Sequence, residues 1–395
     1  MTETSRPAPD SIFREHFGSS PEWTAHAPGR VNFLGAHVDY NDGWVLPGAI
    51  DLGIDFAAAV RPDRRLRLAA LDLSASVELD LDDLPPPRGE RPDGESNWYD
   101  VAGGVAWACR EQGLEPAGLD VAFGGNLPMG AGISSSAALE AGLLRLWDRV
   151  GSWRLEGHTL AALGRQAENG YLGVGSGIMD QFASLHGRAG HLILLDCRTL
   201  EFEPLELPED CAVLVLDSGV RRRLSKSSYN DRPAECASAL ARLREHGFAL
   251  EALRDLRPSQ LEAAGSLLGD IESRRVRHVV EECARVLAAR DCLNADDAPG
   301  LGRLMNASHA SSRDLYEVSI PELDQLAEAA SAHEGCHGAR LSGAGFGGCV
   351  TALVERRSLE AVAHEVVSSF EERFGRRPGT TSCRIADGAR VREWR

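Results

Sequence analysis

Residues 127–140 read LPMGAGISSSAALE. Gly130 and Gly132 permit backbone conformations and close approaches that larger residues forbid. Helix-compatible residues follow at once, with Leu139, Leu143, Leu144 and Trp147 on one face of a helix expected from Ser135 to about Arg149. The free N–H groups of its first turn then point into the glycine loop, where the helix dipole favours an anion. Ser134, Ser135 and Ser136 add hydroxyls suited to phosphate or to magnesium. A serine-rich N-cap after a flexible loop would read the same way. A short strand at Asp120–Phe123 leads into the loop.

Two further segments share this character. Residues 27–47, APGRVNFLGAHVDYNDGWVLP, place Arg30, Asn32, His37, Asp39, Tyr40, Asn41 and Asp42 beside three glycines. Carboxylate and imidazole suit a polyol, although polar residues at a strand-to-turn junction also serve simply to satisfy backbone groups. Residues 340–350, RLSGAGFGGCV, set four glycines before an apolar strand. Such a run lets backbone approach a ligand closely, or makes a tight turn.

Outward from these segments, Leu66, Leu68, Val77, Leu79 and Leu81 alternate with polar residues as strands do. Residues 84–97, LPPPRGERPDGESN, form a proline- and charge-rich loop. A second helix is expected from Leu155 to about Gly170, then strands at HLILLD and CAVLVLDSG. Past residue 230, Val276, Val279, Val280, Cys283, Val286 and Leu287 follow helical spacing, and strands return at Val350–Val354 and Thr380–Ile385. No fixed-period repeat occurs. The sum is an α+β chain, with a soft boundary at EFEPLELPED, residues 201–210.

Composition narrows the function. At 395 residues and 42.5 kDa the chain has room for one large or two ordinary domains. A net charge of −17 and a pI of about 5.2 argue against nucleic acid or an anionic membrane as partner. No apolar run approaches a membrane span, and MTETSRPAPDSIF lacks the pattern of a secretory signal. Nine scattered cysteines without a C-x-x-C pair suit a reduced, cytoplasmic protein with buried thiols. The single lysine, Lys226, follows RRRLS, so a Walker loop and a kinase site built on a strand lysine are both excluded. Any ATP would be held by backbone N–H groups, hydroxyls, arginine and metal.

Taken together, the three segments and their order resemble the galactokinases of the GHMP kinase family. The resemblance runs from about Glu22 to the C-terminus and includes GSGIMDQF (175–182), HLILLDCRTLE (191–201), DSGVRRRLSKSSYNDR (217–232) and ADGARV (386–391). It implies a two-domain GHMP kinase fold with the active site in the interdomain cleft. The expected domains are residues 1–205 and 206–395, the last strand able to return to the first domain. It implies the reaction of ATP with a sugar to give the sugar 1-phosphate and ADP, with Mg2+. By the same resemblance Asp180 is the catalytic aspartate facing the anomeric hydroxyl, and Arg30 stabilises the developing alkoxide and the transferring phosphoryl group. Ser136 and Glu168 match the magnesium ligands. Trp98 matches an aromatic of the adenine pocket, and Gly130, Ala131, Gly132, Ser134, Ser135 and Ser136 the phosphate loop. Ala36, His37, Asp39, Gly177 and Tyr229 fall on the sugar-binding positions. A monomer acting on small molecules, without nucleic acid or membrane, is the expected assembly.

Two departures bear on the sugar. The family's sugar signature carries an acidic residue before the histidine, and here it reads Gly35-Ala36-His37. Alanine removes the group that binds the hydroxyl on carbon 6. Arg222 stands where histidine is frequent, within the cluster Arg221-Arg222-Arg223. Both fit a sugar with a carboxylate at carbon 6, as in the galacturonokinases that share G-A-H; galactose and other C6-modified sugars stay open. An inactive ATP- and sugar-binding sensor is the alternative function, but such proteins lose residues of the serine-rich motif, which is complete here. GHMP kinases for isoprenoid or amino-acid intermediates lack the H-x-D-Y segment and GIMDQF.

Overall fold

The computed structural model describes residues 9–91, 97–128, 130, 132–221 and 226–395, with backbone alone at 226–228. Ala131, Arg222 and Arg223 lie outside them. The fold is α+β in two domains, each built on a sheet.

In the first sheet the strands run Arg390–Glu393, Trp23–Leu34, Trp44–Val60, Leu119–Gly125, Arg65–Ala70, Ala75–Asp80. All pairs on this path are antiparallel except Leu119–Gly125 with Arg65–Ala70. Period-two alternation explains its two faces. Phe56, Ala58, Val121, Phe123, Leu66 and Leu68 enter the main core, which the Ser135–Gly151 helix covers. The intervening Ala57, Ala59, Ala122 and Ala69 pack on Phe13 of the Pro9–Phe17 helix instead. Trp147, on the buried face of the Ser135–Gly151 helix, is fully buried, and its indole N–H donates to the Ala117 carbonyl at 2.9 Å.

The segment 201–210 is not a bare connection. Phe202–Glu206 is a strand paired with His191–Asp196, which in turn pairs with the start of Trp44–Val60. The exposed Glu201, Glu203 and Glu206 give it a linker's composition, because it is an edge strand in which only Leu205 is buried. Helical spacing from Leu155 to about Gly170 resolves into a helix at Gly157–Gln166 and a π-helical turn at Ala167–Leu172. Thr380–Ile385 is strand only over Gly379–Cys383, with Ile385 making an isolated bridge to Ile50.

The second sheet runs Gly379–Cys383, Cys211–Asp217, Cys349–Glu355, Cys336–Ser342, all antiparallel. Helices Asp270–Asn294, Ala298–Asp314 and Pro321–Ala332 cover it and its approach to the first sheet. Val276, Val279, Val280, Cys283 and Val286 are the buried apolar face of the first of these. All nine cysteines are free, eight of them buried. No helix among the described residues is long and apolar enough to cross a membrane.

Candidate active site

A cavity of about 410 Å³ opens where the three glycine-bearing segments meet. Residues from each line it: Arg30 and Ala36 from the first, Gly132 and Ser136 from the second, Gly343 and Ala344 from the third.

Its floor is an ion pair between residues 150 positions apart. Arg30 donates to both carboxylate oxygens of Asp180, Nε to Oδ1 at 2.8 Å and Nη2 to Oδ2 at 2.9 Å. The third nitrogen of the fork, Nη1, donates to the Gly132 carbonyl at 2.7 Å. One guanidinium thus joins the Trp23–Leu34 strand, the glycine loop and the first turn of the Met179–His186 helix, using the planar geometry that lysine lacks. Arg30 is only 3% exposed, whereas the Asp180 side chain is 32% exposed. The cation is therefore at the back and the carboxylate faces the cavity. The Ser134 hydroxyl donates to Asp180 Oδ2. Ser134, at the N-cap in the left-handed region with φ 61°, is committed to Asp180 rather than capping its helix.

The acidic side of the cavity is built by the π-helical turn, which places Glu168 opposite Ser136 with Oγ to Oε1 at 3.3 Å. Ser176 donates to the other oxygen of Glu168. Glu140 lies behind, fully buried, accepting from Gln181 Nε2 at 2.9 Å. Burial raises the pKa of both Glu140 and Glu168; Glu168 adds to the rise at Glu140. Among the described residues no three His, Cys, Asp or Glu side chains converge to hold a metal alone. The hard oxygen pair Ser136 and Glu168 suits magnesium that takes its other ligands from phosphates and water.

The sugar-motif side turns sharply. Gly35 has φ 91° and His37 φ 57°, a conformation rare for a residue with a side chain. The His37 ring is engaged on both sides. Its Nε2–H donates to the Ala344 carbonyl at 3.1 Å, so Nδ1 accepts from the Tyr40 hydroxyl at 2.8 Å. Tyr40 in turn meets the Tyr316 hydroxyl at 2.9 Å. Burial pushes His37 down to about 3, keeping the ring neutral as this arrangement requires. Asp39 is raised to about 7, first by burial and then by the neighbouring Asp180. Its carboxylate lies against Gly177: a Cβ there would sit 2.1 Å from Asp39 Cγ, so only glycine fits. Tyr229 lines the same end, its ring 5.8 Å from that of His37.

The structure therefore gathers Arg30, Ala36, His37, Asp39, Gly177, Asp180 and Tyr229 with Gly130, Gly132, Ser134, Ser135, Ser136 and Glu168 around one cavity. Trp98 is not in its lining; the ring is half-buried, 6.2 Å from Phe123 and 5.7 Å from Tyr99. Ala131 and the Arg222-Arg223 pair fall outside the described residues. Arg221 is paired with Asp217 at 2.8 Å and lies against the glycine loop, its Cδ 3.1 Å from where a Gly130 Cβ would be. Asn32, named above with the first segment, also lines the cavity, and Ser176 and Asn230 line it without having been singled out. Ser176 stands inside the quoted GSGIMDQF and Asn230 inside SSYNDR, so membership of those motifs was the available signal.

Comparison with known proteins supplies the family. The galactokinase galactose-binding signature matches residues 11–60. The GHMP kinase N-terminal domain matches residues 100–188 and the GHMP kinase C-terminal domain residues 289–372. A galactokinase of Roseiflexus sp. (strain RS-1) is 41% identical over 376 residues, covering 95% of this chain and 94% of that protein. The chain belongs to the galactokinase family of GHMP kinases. A second relative, a galactokinase of Chloroflexus aggregans, is 40% identical over 93% of this chain and 92% of its own. The crystal structure of Lactococcus lactis galactokinase complexed with galactose superposes with a TM-score of 0.91 at 34% identity, covering 96% of this chain and 98% of that one. A mevalonate kinase at 18% identity and TM-score 0.61 shares the fold. With membership of this galactokinase family comes a class of chemistry, ATP-dependent phosphorylation of a sugar.

Proposed function

We propose that the chain transfers the γ-phosphoryl group of ATP to the anomeric hydroxyl of a galactose-type sugar, releasing the sugar 1-phosphate and ADP. The observation that carries this is the two-pronged Arg30–Asp180 pair at the meeting of the sugar turn and the glycine loop. Asp180 takes the anomeric proton as the new O–P bond forms and the bond from the γ-phosphorus to the β-bridging oxygen breaks. Arg30 offsets the charge that gathers on the attacking oxygen and the phosphoryl group. Gly130, Ala131, Gly132, Ser134, Ser135 and Ser136 surround the phosphates, and the first turn of the Ser135–Gly151 helix presents its N–H groups to them. Ser136 and Glu168 hold Mg2+, which neutralises phosphate charge when bound. Trp98 serves the adenine from outside the described cavity. Ala36, Asp39, Gly177 and Tyr229 shape the sugar end, and His37 does so through its backbone, its ring nitrogens being engaged. The domains divide near residues 205 and 206, with Arg390–Glu393 returning to the first sheet. A monomer in the cytoplasm is the working assembly.

A second reading is favoured by Ala36, which lines the cavity where the family carries an acidic residue. Without that carboxylate the pocket admits a modified carbon 6, galacturonate above all. The position of Arg221 against the phosphate loop draws the basic cluster's first member away from this role. The deciding experiment is an ADP-release screen over galactose, galacturonate, N-acetylgalactosamine, arabinose and glucose with ATP and Mg2+. Turnover with none of them overturns the sugar 1-kinase reading.

Two predictions belong to this site. Ser136→Ala raises the magnesium requirement and lowers turnover by about tenfold or more, since loss of a ligating or ligand-orienting group commonly costs that much. Lys226→Met leaves ATP affinity unchanged, because no phosphate-loop lysine exists. Loss of ATP binding in Lys226→Met beside a silent Ser136→Ala would place the nucleotide elsewhere. The second prediction concerns pH. Asp39 accepts sugar hydroxyls with both oxygens and a full charge only when ionised, and in the free protein it sits at about 7. The ionised fraction therefore falls as pH drops through that value, and kcat/KM for the sugar falls by up to about tenfold per pH unit below it. Asp39→Asn removes this limb of the profile; a wild-type profile that is flat from about pH 6 to about pH 8 would contradict the assignment.

A further inference from the structure

The strained Gly35-Ala36-His37 turn is gripped from behind by one helix of the C-terminal half. Its two consecutive amides converge on a single oxygen: Gly35 N–H and Ala36 N–H both donate to Glu282 Oε1, at 2.9 and 3.1 Å. Successive N–H groups beside a left-handed residue form a concavity suited to an anion, and here the anion belongs to the chain itself. Four residues earlier on the same face of Asp270–Asn294, His278 Nε2–H donates to the Ala36 carbonyl at 3.0 Å. The Ser311 hydroxyl meets its Nδ1 at 2.8 Å, fixing the tautomer.

Both side chains are fully buried and neither lines the cavity. They cannot touch a ligand there. Glu282 is also met by Ser308 Oγ at 2.5 Å and by Arg285 Nε at 2.6 Å. Burial would push its carboxyl up, but Arg285, His278 and Arg340 overcome that and hold it at about 2. Burial holds His278 at about 4. The pair is therefore carboxylate and neutral imidazole throughout the working range, the states that these hydrogen bonds need. A buried charge is costly and its replacement by apolar packing is often no loss of stability. Its polar atoms nevertheless converge on the one turn that brings Ala36 and His37 to the cavity wall.

We propose that Glu282 and His278 are positioning residues for the sugar: they hold the Gly35-Ala36-His37 backbone in its strained form, and so set the sugar pocket without acting on the nucleotide. The strain at φ 57° on His37 persists because the surroundings over-determine it. Without the clamp the turn relaxes, and a shift of about 1 Å at a reacting group is enough to cost up to ~10²-fold.

The inference rests on the sugar-kinase reading, and the test separates the two. Steady-state KM for the sugar the wild type turns over, and KM for ATP, are measured for Glu282→Gln, His278→Leu and His278→Gln. Glu282→Gln turns one acceptor oxygen into a donor, and His278→Leu removes the donor to the Ala36 carbonyl. Each is expected to raise the sugar KM by at least about tenfold while the ATP KM stays within about twofold. His278→Gln keeps an N–H at the reach of Nε2 and recovers most of the loss, which a purely packing role would not predict. The two His278 variants decide the matter independently of how well Glu282→Gln folds. An unmoved sugar KM in His278→Leu, or a parallel rise in the ATP KM, overturns the proposal. A wild type that phosphorylates no sugar overturns the reading beneath it.

Discussion

Asp180→Asn is expected to lower kcat by ~10²–10⁴-fold, the usual cost of losing a positioned acid–base group, while ATP still binds. The substitution keeps shape and volume. It removes the acceptor for the anomeric proton and turns one of the two oxygens facing Arg30 into an amide that can only donate. Arg30, 3% exposed, is then left with part of its fork unpaired, so some loss of stability accompanies the loss of rate. The two effects are separable: thermal midpoint and nucleotide affinity report the first, single-turnover phosphoryl transfer the second. Turnover close to wild type in folded Asp180→Asn would remove Asp180 from the chemistry.

The other large effect is a reversal of preference. Ala36 is 2% exposed and lines the cavity, so a glutamate placed there has only the cavity to enter. Within ~4 Å of a substrate carboxylate it would repel by about 4 kcal/mol at an effective dielectric of about 20. For a C6 hydroxyl it restores a charge-assisted acceptor worth roughly 1.5–3 kcal/mol. Ala36→Glu is thus expected to raise kcat/KM for galactose by about tenfold or more and to lower it for galacturonate by at least as much. The measurement is kcat/KM for both sugars, wild type and variant, at low and moderate salt. If the wild type strongly prefers galactose and the variant changes neither value, Ala36 does not face carbon 6 and the galacturonate reading falls.

The parts of the site that could be read along the chain are those whose chemistry is local. A glycine loop running into a helix is declared by LPMGAGISSSAALE, because the loop's freedom and the helix's unpaired N–H groups both arise within a few residues. The π-helical turn at Ala167–Leu172 left no such mark, and ordinary helical spacing extends through it although it is what aims Glu168. Glu282 and His278 offered a fainter signal. They interrupt the face formed by Val276, Val279, Val280, Cys283 and Val286, and polar residues on a buried stripe need partners. Nothing nearby in sequence says that the partner is the backbone of Gly35 and Ala36, 247 and 246 residues away.

By itself, then, the sequence determined the α+β class, the glycine loop with its helix, the lack of a phosphate-binding lysine, and the family through three short motifs. Each depends on residue type and near-neighbour spacing, which the chain carries along its length. Tertiary structure alone decided that Arg30 grips Asp180 and the Gly132 carbonyl together, that the His37 ring is spent on Tyr40 and Ala344, and that a helix of the C-terminal half pins the sugar turn. These are contacts between distant segments. Hydrogen bonds of about 3 Å demand that direction and distance be met at once, and those are set by how two sheets and their helices pack.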